Sequence, residues 1–97
     1  MHFIFISDYT PGMEETRNAN RAEHLAYWTQ EKGKNMTNGG PLLDADGKPY
    51  GAMFMLEAND EAEARIIFAG DPYVKAGVTQ LKTVSAYRNA IRDGQKA

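Results

Sequence analysis

Residues 51–73 read Gly-Ala-Met-Phe-Met-Leu-Glu-Ala-Asn-Asp-Glu-Ala-Glu-Ala-Arg-Ile-Ile-Phe-Ala-Gly-Asp-Pro-Tyr, and this stretch decides the fold. Gly51 to Glu57 is a short apolar run bounded by polar residues, the pattern of a strand. Asn59 or Asp60 offers a side-chain oxygen to cap a helix. Glu61 and Glu63 then fall where the helix dipole favours negative charge, so a helix is expected through Ala69. Gly70 stops it, and Pro72 biases Asp71 away from helical backbone.

Upstream, Phe3 to Ile6 is a second apolar and β-branched run, closed by Ser7-Asp8 and Pro11-Gly12, and reads as the first strand. Its four apolar residues are too few for a signal-peptide core or a membrane span, so a cytoplasmic location is expected. Residues 9 to about 19 are polar and poorly patterned and read as a loop. Asn20 stands three before Glu23, as in a capping box, so the first helix is expected from Asn20 to about Lys32, with Gly33 as its stop. Leu25, Trp28 and Thr29, joined by Ala22, form its expected buried side. A weaker strand covers Lys34 to Thr37 and continues toward Leu42-Leu43, interrupted by Asn38-Gly39-Gly40-Pro41. Asp44-Ala45-Asp46-Gly47 is a hairpin turn; a calcium loop would need a closing Glu where Tyr50, Gly51 and Ala52 stand. Val78 to Tyr87 makes the last strand, and a polar, mobile tail is expected from about Arg92.

The order β-α-β-β-α-β is that of the ferredoxin-like α+β fold, a four-stranded antiparallel sheet with both helices on one face. Residues 1–97 make one domain. Phe3 and Phe5 oppose Ile4 and Ile6 across the first strand, and Met53 and Met55 oppose Phe54 and Leu56 across the third. Both sheet faces are therefore apolar, and a homodimer is expected to cover the side without helices.

A formal net charge of −2, with lysines and arginines scattered from Lys32 and Lys34 to Lys75, Lys82, Arg88 and Arg92, gives no basis for nucleic-acid or membrane-surface partners. The absence of cysteine removes disulfides and zinc–thiolate sites.

Chemistry has few carriers. The chain has two histidines, of which His2 adjoins the start methionine. His24 lies in a helix and Asp71 just past one. The topology places both, with Ser7-Asp8 and Asn38-Gly39-Gly40-Pro41, at the edge where the first strand ends. A positioned carboxylate holds an imidazole in one tautomer and prepares it for proton transfer. The alternative is that the pair merely ties two helices together. Arg21, one turn before His24, is a candidate to bind an anionic ligand, or pairs with a neighbouring Glu. Tyr73 turns its hydroxyl inward or packs as a helix-end aromatic. Gly40 and Ser7 complete the candidate substrate contacts.

Arg21-x-x-His24-Leu25, Gly40-Pro41, Gly51, Glu61-Ala62-x-x-x-Ile66 and Asp71-Pro72-Tyr73-x-x-x-Gly77-Val78 together resemble the YciI-like (YCII-related domain) family of the dimeric α/β-barrel superfamily. The resemblance covers residues 1 to about 88. It implies a dimer through the sheets, an active site on His24 and Asp71, and kinship with isomerases, lyases and monooxygenases that act on aromatic or lactone compounds, often without a metal; no cofactor is expected here. The polar segment from Tyr9 to Ala19 departs from the family pattern by its length. Two other readings stand beside this one: a noncatalytic small-molecule-binding dimer, and a haem-binding barrel with His24 as axial ligand.

Overall fold

The computed structural model describes residues 1–30 and 35–97. The elements run β1 (His2–Tyr9), α1 (Glu14–Thr29), β2 (Met36–Leu43), β3 (Pro49–Glu57), α2 (Glu61–Ala69), α3 (Pro72–Lys75), β4 (Thr79–Tyr87), β5 (Ile91–Arg92) and β6 (Gln95–Lys96). The four long strands form one sheet in the order β2-β3-β1-β4, and all three pairings are antiparallel. This is the expected ferredoxin-like α+β fold.

Period-two alternation sets the two faces of the sheet. Phe3, Phe5 and Ser7 on β1 pair with Leu56, Phe54 and Ala52 on β3, and all six are buried beneath the helices. Trp28 of α1 and Ala64 and Phe68 of α2 close this core. Phe68 stacks on Phe5 at 4.7 Å between ring centroids. Ile4 and Ile6 pair with Met55 and Met53 on the opposite face, where all four remain partly exposed.

Several local expectations are corrected. The first helix begins at Glu14, so most of the supposed loop of residues 9–19 is helical. Asn20 is inside that helix, where its amide donates to the Thr16 carbonyl, and it caps nothing. Ala22, Leu25 and Thr29 are exposed, and of the stripe read as buried only Trp28 is. The expected helix end at Lys32-Gly33 and strand start at Lys34 lie outside the described residues.

Asn38-Gly39-Gly40-Pro41 does not interrupt β2. Register shifts flank it, and β2 is an edge strand, where a proline removes no ladder hydrogen bond that the sheet needs. The polar tail instead folds into the β5–β6 hairpin. Asp93 and Gly94, at φ 52° and 73°, form its tight turn, the primed geometry that hairpins favour.

The cap of α2 is as read: the Asp60 side chain accepts from the Glu63 amide, and Glu63 reaches back to Asn59. Gly70 ends α2 with φ −78°, which any residue tolerates. Glycine there leaves room for the Tyr27 ring and hydroxyl, which a Cβ would push aside. At Gly51 the demand is stricter, since a Cβ would run into the backbone carbonyl of Ser7 on the paired strand.

Candidate active site

Pro72 does to Asp71 what the sequence implies. Asp71 is extended (φ −62°, ψ 128°), and its side chain caps α3 by accepting from the Tyr73 amide at 2.9 Å. The cap fixes the carboxylate beneath α1. There His24 Nδ1 lies 2.8 Å from Asp71 Oδ1, and Trp28 Nε1 donates to Oδ2 at 2.9 Å. His24 and Trp28 are four residues apart on one helix face, which lets both reach a single carboxylate.

Asp71 is wholly buried. An unpaired carboxylate there would be costly, and three donors compensate it. With a carboxylate at 2.8 Å, Nδ1 of the neutral ring carries the hydrogen and donates it, leaving Nε2 with a free lone pair. Nε2 has no hydrogen-bond partner among the described residues. The ring plane is fixed from below by Tyr73, which stacks on it with centroids 3.8 Å apart and planes 7° from parallel. Phe54 lies 6.0 Å away.

His24 lines a cavity of about 530 Å³ between α1 and the β2–β3 side of the sheet. Trp28, Met36 and Phe54 give it an apolar lining, and Arg17, Arg21 and Tyr9 give it polar groups. The volume and the mixture of many apolar surfaces with few polar ones suit a small-molecule ligand. Tyr9 is half-buried, and burial pushes its hydroxyl above the ordinary tyrosine range; Arg17 acts against this, Tyr73 with it, Arg21 against and Asp71 with it.

Of the residues singled out from the sequence, His24, Arg21, Tyr73 and Gly40 line this cavity, while Asp71 stands behind His24. Ser7 does not line it. Ser7 is buried on the helix side of β1, and its Oγ has no hydrogen-bond partner among the described residues. The cavity does lie at the expected edge, since Tyr9, the last residue of β1, and Gly39, Gly40 and Pro41 line it with His24, but His24 reaches it from well along α1. His24 is the eleventh residue of a 16-residue helix, and it sits over Phe54, a mid-strand residue of β3. Sequence reasoning missed Trp28, Arg17 and Tyr9 as members of the site. The spacing of Arg17, Arg21, His24 and Trp28 at helical intervals was the available signal. Arg17 stands in the polar stretch 9–19, whose lack of apolar periodicity hides the helix.

Fold and site together define a class: a small ferredoxin-like domain presenting a carboxylate-held imidazole to a cavity of small-molecule size. A family model, described as the YCII-related domain, matches residues 1–88, and the chain belongs to that family. Among solved structures it is similar to 5-chloro-2-hydroxyhydroquinone dehydrochlorinase (TftG) from Burkholderia phenoliruptrix AC1100, in complex with 2,5-dihydroxybenzoquinone. The two are 29% identical, with a TM-score of 0.78 over 91% of this chain and 94% of the other. Comparison with curated protein sequences returns no match.

Proposed function

We propose that the chain is a small enzyme that transfers a proton on an aromatic or cyclic metabolite, by elimination or isomerisation, with His24 as general base or acid. The observation that carries this reading is the Asp71 carboxylate, buried and triply bonded, with His24 Nδ1 on it at 2.8 Å. A carboxylate so held orients the ring and stabilises the imidazolium that forms when Nε2 takes a proton. Tyr73 keeps the ring flat against one wall. In an elimination, Nε2 accepts a proton from a saturated ring carbon beside a ring carbonyl. The C–H bonding pair becomes the new ring C=C, and a leaving group departs with its own pair from the adjacent saturated carbon. No external oxidant or reductant is required. The similarity to a dehydrochlorinase supports the elimination variant. Arg21 and the Gly40 backbone are the proposed substrate contacts, with Tyr73 as the platform.

The test is proton exchange. A panel of hydroxyquinones and hydroxyhydroquinones, including 2,5-dihydroxybenzoquinone, is followed by proton NMR in deuterated buffer, with halide release measured for chlorinated members. Wild type should accelerate exchange or release, and His24→Ala should fall to the uncatalysed rate while still binding. No acceleration by wild type across the panel removes the enzyme reading. Acceleration surviving in His24→Ala removes the role of His24.

A second copy of the chain is the proposed cover for the partly exposed Ile4, Ile6, Met53 and Met55, which share the sheet face without helices.

A further inference from the structure

The chain carries a formal net charge of −2, yet among the described residues the cavity beside His24 is lined by Arg17 and Arg21 and by no Asp or Glu. Neither guanidinium makes an ion pair among the described residues, whereas Arg65 and Lys82 do. Like charges four residues apart on a helix repel, at a cost of roughly 0.2–0.5 kcal/mol. Arg17 stands over the Tyr9 ring, with Cζ 4.4 Å from the centroid. That contact orients the guanidinium through its face and leaves its N–H edge available.

We propose that the substrate of the His24 site is a small ring compound bearing an anionic oxygen, a carboxylate or a hydroxyl ionised by conjugation with a ring carbonyl, gripped by Arg17 and Arg21 with the Tyr9 hydroxyl as a third donor. This rests on reading the cavity as an active site and adds the substrate class to it.

Each part has a physical reason. A guanidinium presents a planar fork of donors that matches an oxyanion, and such charge-assisted bonds are about twice as strong as neutral ones. The apolar lining lowers the local dielectric and strengthens them. Asp71, the nearest anion to the ring of His24, is shielded from the cavity by that ring and has its charge taken up by three donors. The tyrosine remains protonated at neutral pH, because burial disfavours its anion, and so it stays a donor. When His24 Nε2 removes a proton, the electron pair delocalises onto the conjugated oxygen. Donors already aimed there lower the barrier without reorganising.

Calorimetric titration tests this with two probes of the same ring. 2,5-Dihydroxybenzoquinone is ionised at neutral pH, and 2,5-dimethoxybenzoquinone is its neutral ether. The anion should bind wild type about tenfold tighter than the ether or better, the worth of one charge-assisted bond. Arg17→Gln and Arg21→Gln should each weaken the anion about tenfold and leave the ether unchanged. Arg17→Lys and Arg21→Lys, which keep the charge and lose the fork, should fall between. Salt at about 0.5 M should weaken the anion alone. Equal affinity for the two probes, anion binding indifferent to both arginines, or no binding of either probe at about millimolar concentration overturns the proposal. The preference for the anion should survive His24→Ala. If it does while catalysed exchange never depends on His24, the anion site stands and the acid–base reading falls. If His24-dependent exchange is found without any anion preference, the reverse holds.

Discussion

Asp71 accounts for more of this site than any other residue. Its two oxygens receive Tyr73 N–H, His24 Nδ1 and Trp28 Nε1, so it is at once a helix cap, a histidine orienter and the polar anchor of a core tryptophan. Asp71→Asn replaces one acceptor oxygen by a donor facing other donors. It should destabilise the fold by about 2–3 kcal/mol, read by urea unfolding followed by circular dichroism, and abolish any His24-dependent turnover. Trp28→Phe keeps most of the ring and removes one donor. Its cost should be smaller, about 1.5–2 kcal/mol, and it should lower turnover only partly, because His24 keeps its partner. The tautomer can be observed directly. Nitrogen-15 NMR should find the neutral His24 ring protonated at Nδ1 in wild type, and a ring protonated at Nε2 would contradict the assigned roles.

At the scale of elements, the two long helices start by different means. α2 opens with Asp60, whose side chain accepts from the Glu63 amide, and with Glu61 and Glu63 in its first turn. α1 opens at Met13 with no side-chain cap and has only Glu14 and Glu15 to favour its positive end. Asp60→Ala should therefore cost about 1 kcal/mol. Asn20→Ala should be neutral or stabilising by about 0.5 kcal/mol, because Asn20 is a helix-interior residue of modest propensity. Thermal unfolding of the two variants distinguishes these outcomes, and a large loss for Asn20→Ala would restore the capping-box start. The early start of α1 has a functional consequence. It places Arg17 on the helix, one turn before Arg21 and two before His24, so that a segment without apolar periodicity supplies part of the cavity wall.

For the molecule as a whole, one sheet face is filled by its own helices and the other presents Ile4, Ile6, Met53 and Met55. Sedimentation at micromolar concentration should find a dimer, and Met55→Glu should yield a folded monomer. A wild-type monomer would leave this face without its proposed occupant. Stability should also fall on the alkaline side. Tyr9 and Tyr27 have hydroxyls raised above the ordinary value of 10.0, in both cases chiefly by burial. A group whose folded value is raised contributes stability that is complete below the unfolded value and is lost as pH climbs through the folded one. Unfolding free energy should therefore decline from about pH 10 upward, and the decline should be shallower in Tyr27→Phe, which also gives up its bond to the Ile67 carbonyl.

The strand runs Phe3–Ile6 and Gly51–Glu57, the Asp60 cap and the Asp44–Gly47 turn were legible because each is a local preference: alternation, a capping oxygen, a turn dipeptide. The order of those elements then restricted the fold, and the fold brought His24 to Asp71. Nothing local could show that Trp28 is the second side-chain donor to Asp71, or that Tyr73 stacks on the imidazole. Those contacts join residues more than forty positions apart and exist only once α1 is packed on the sheet. The same holds for β2. Asn38-Gly39-Gly40-Pro41 has the composition of a loop, and its place at a sheet edge, where a missing N–H is harmless, makes it a strand. Local chemistry determined where elements begin and which residues have the means for acid–base work. Tertiary packing decided which of those residues face one another, because burial and long-range hydrogen bonds are properties of the assembled chain.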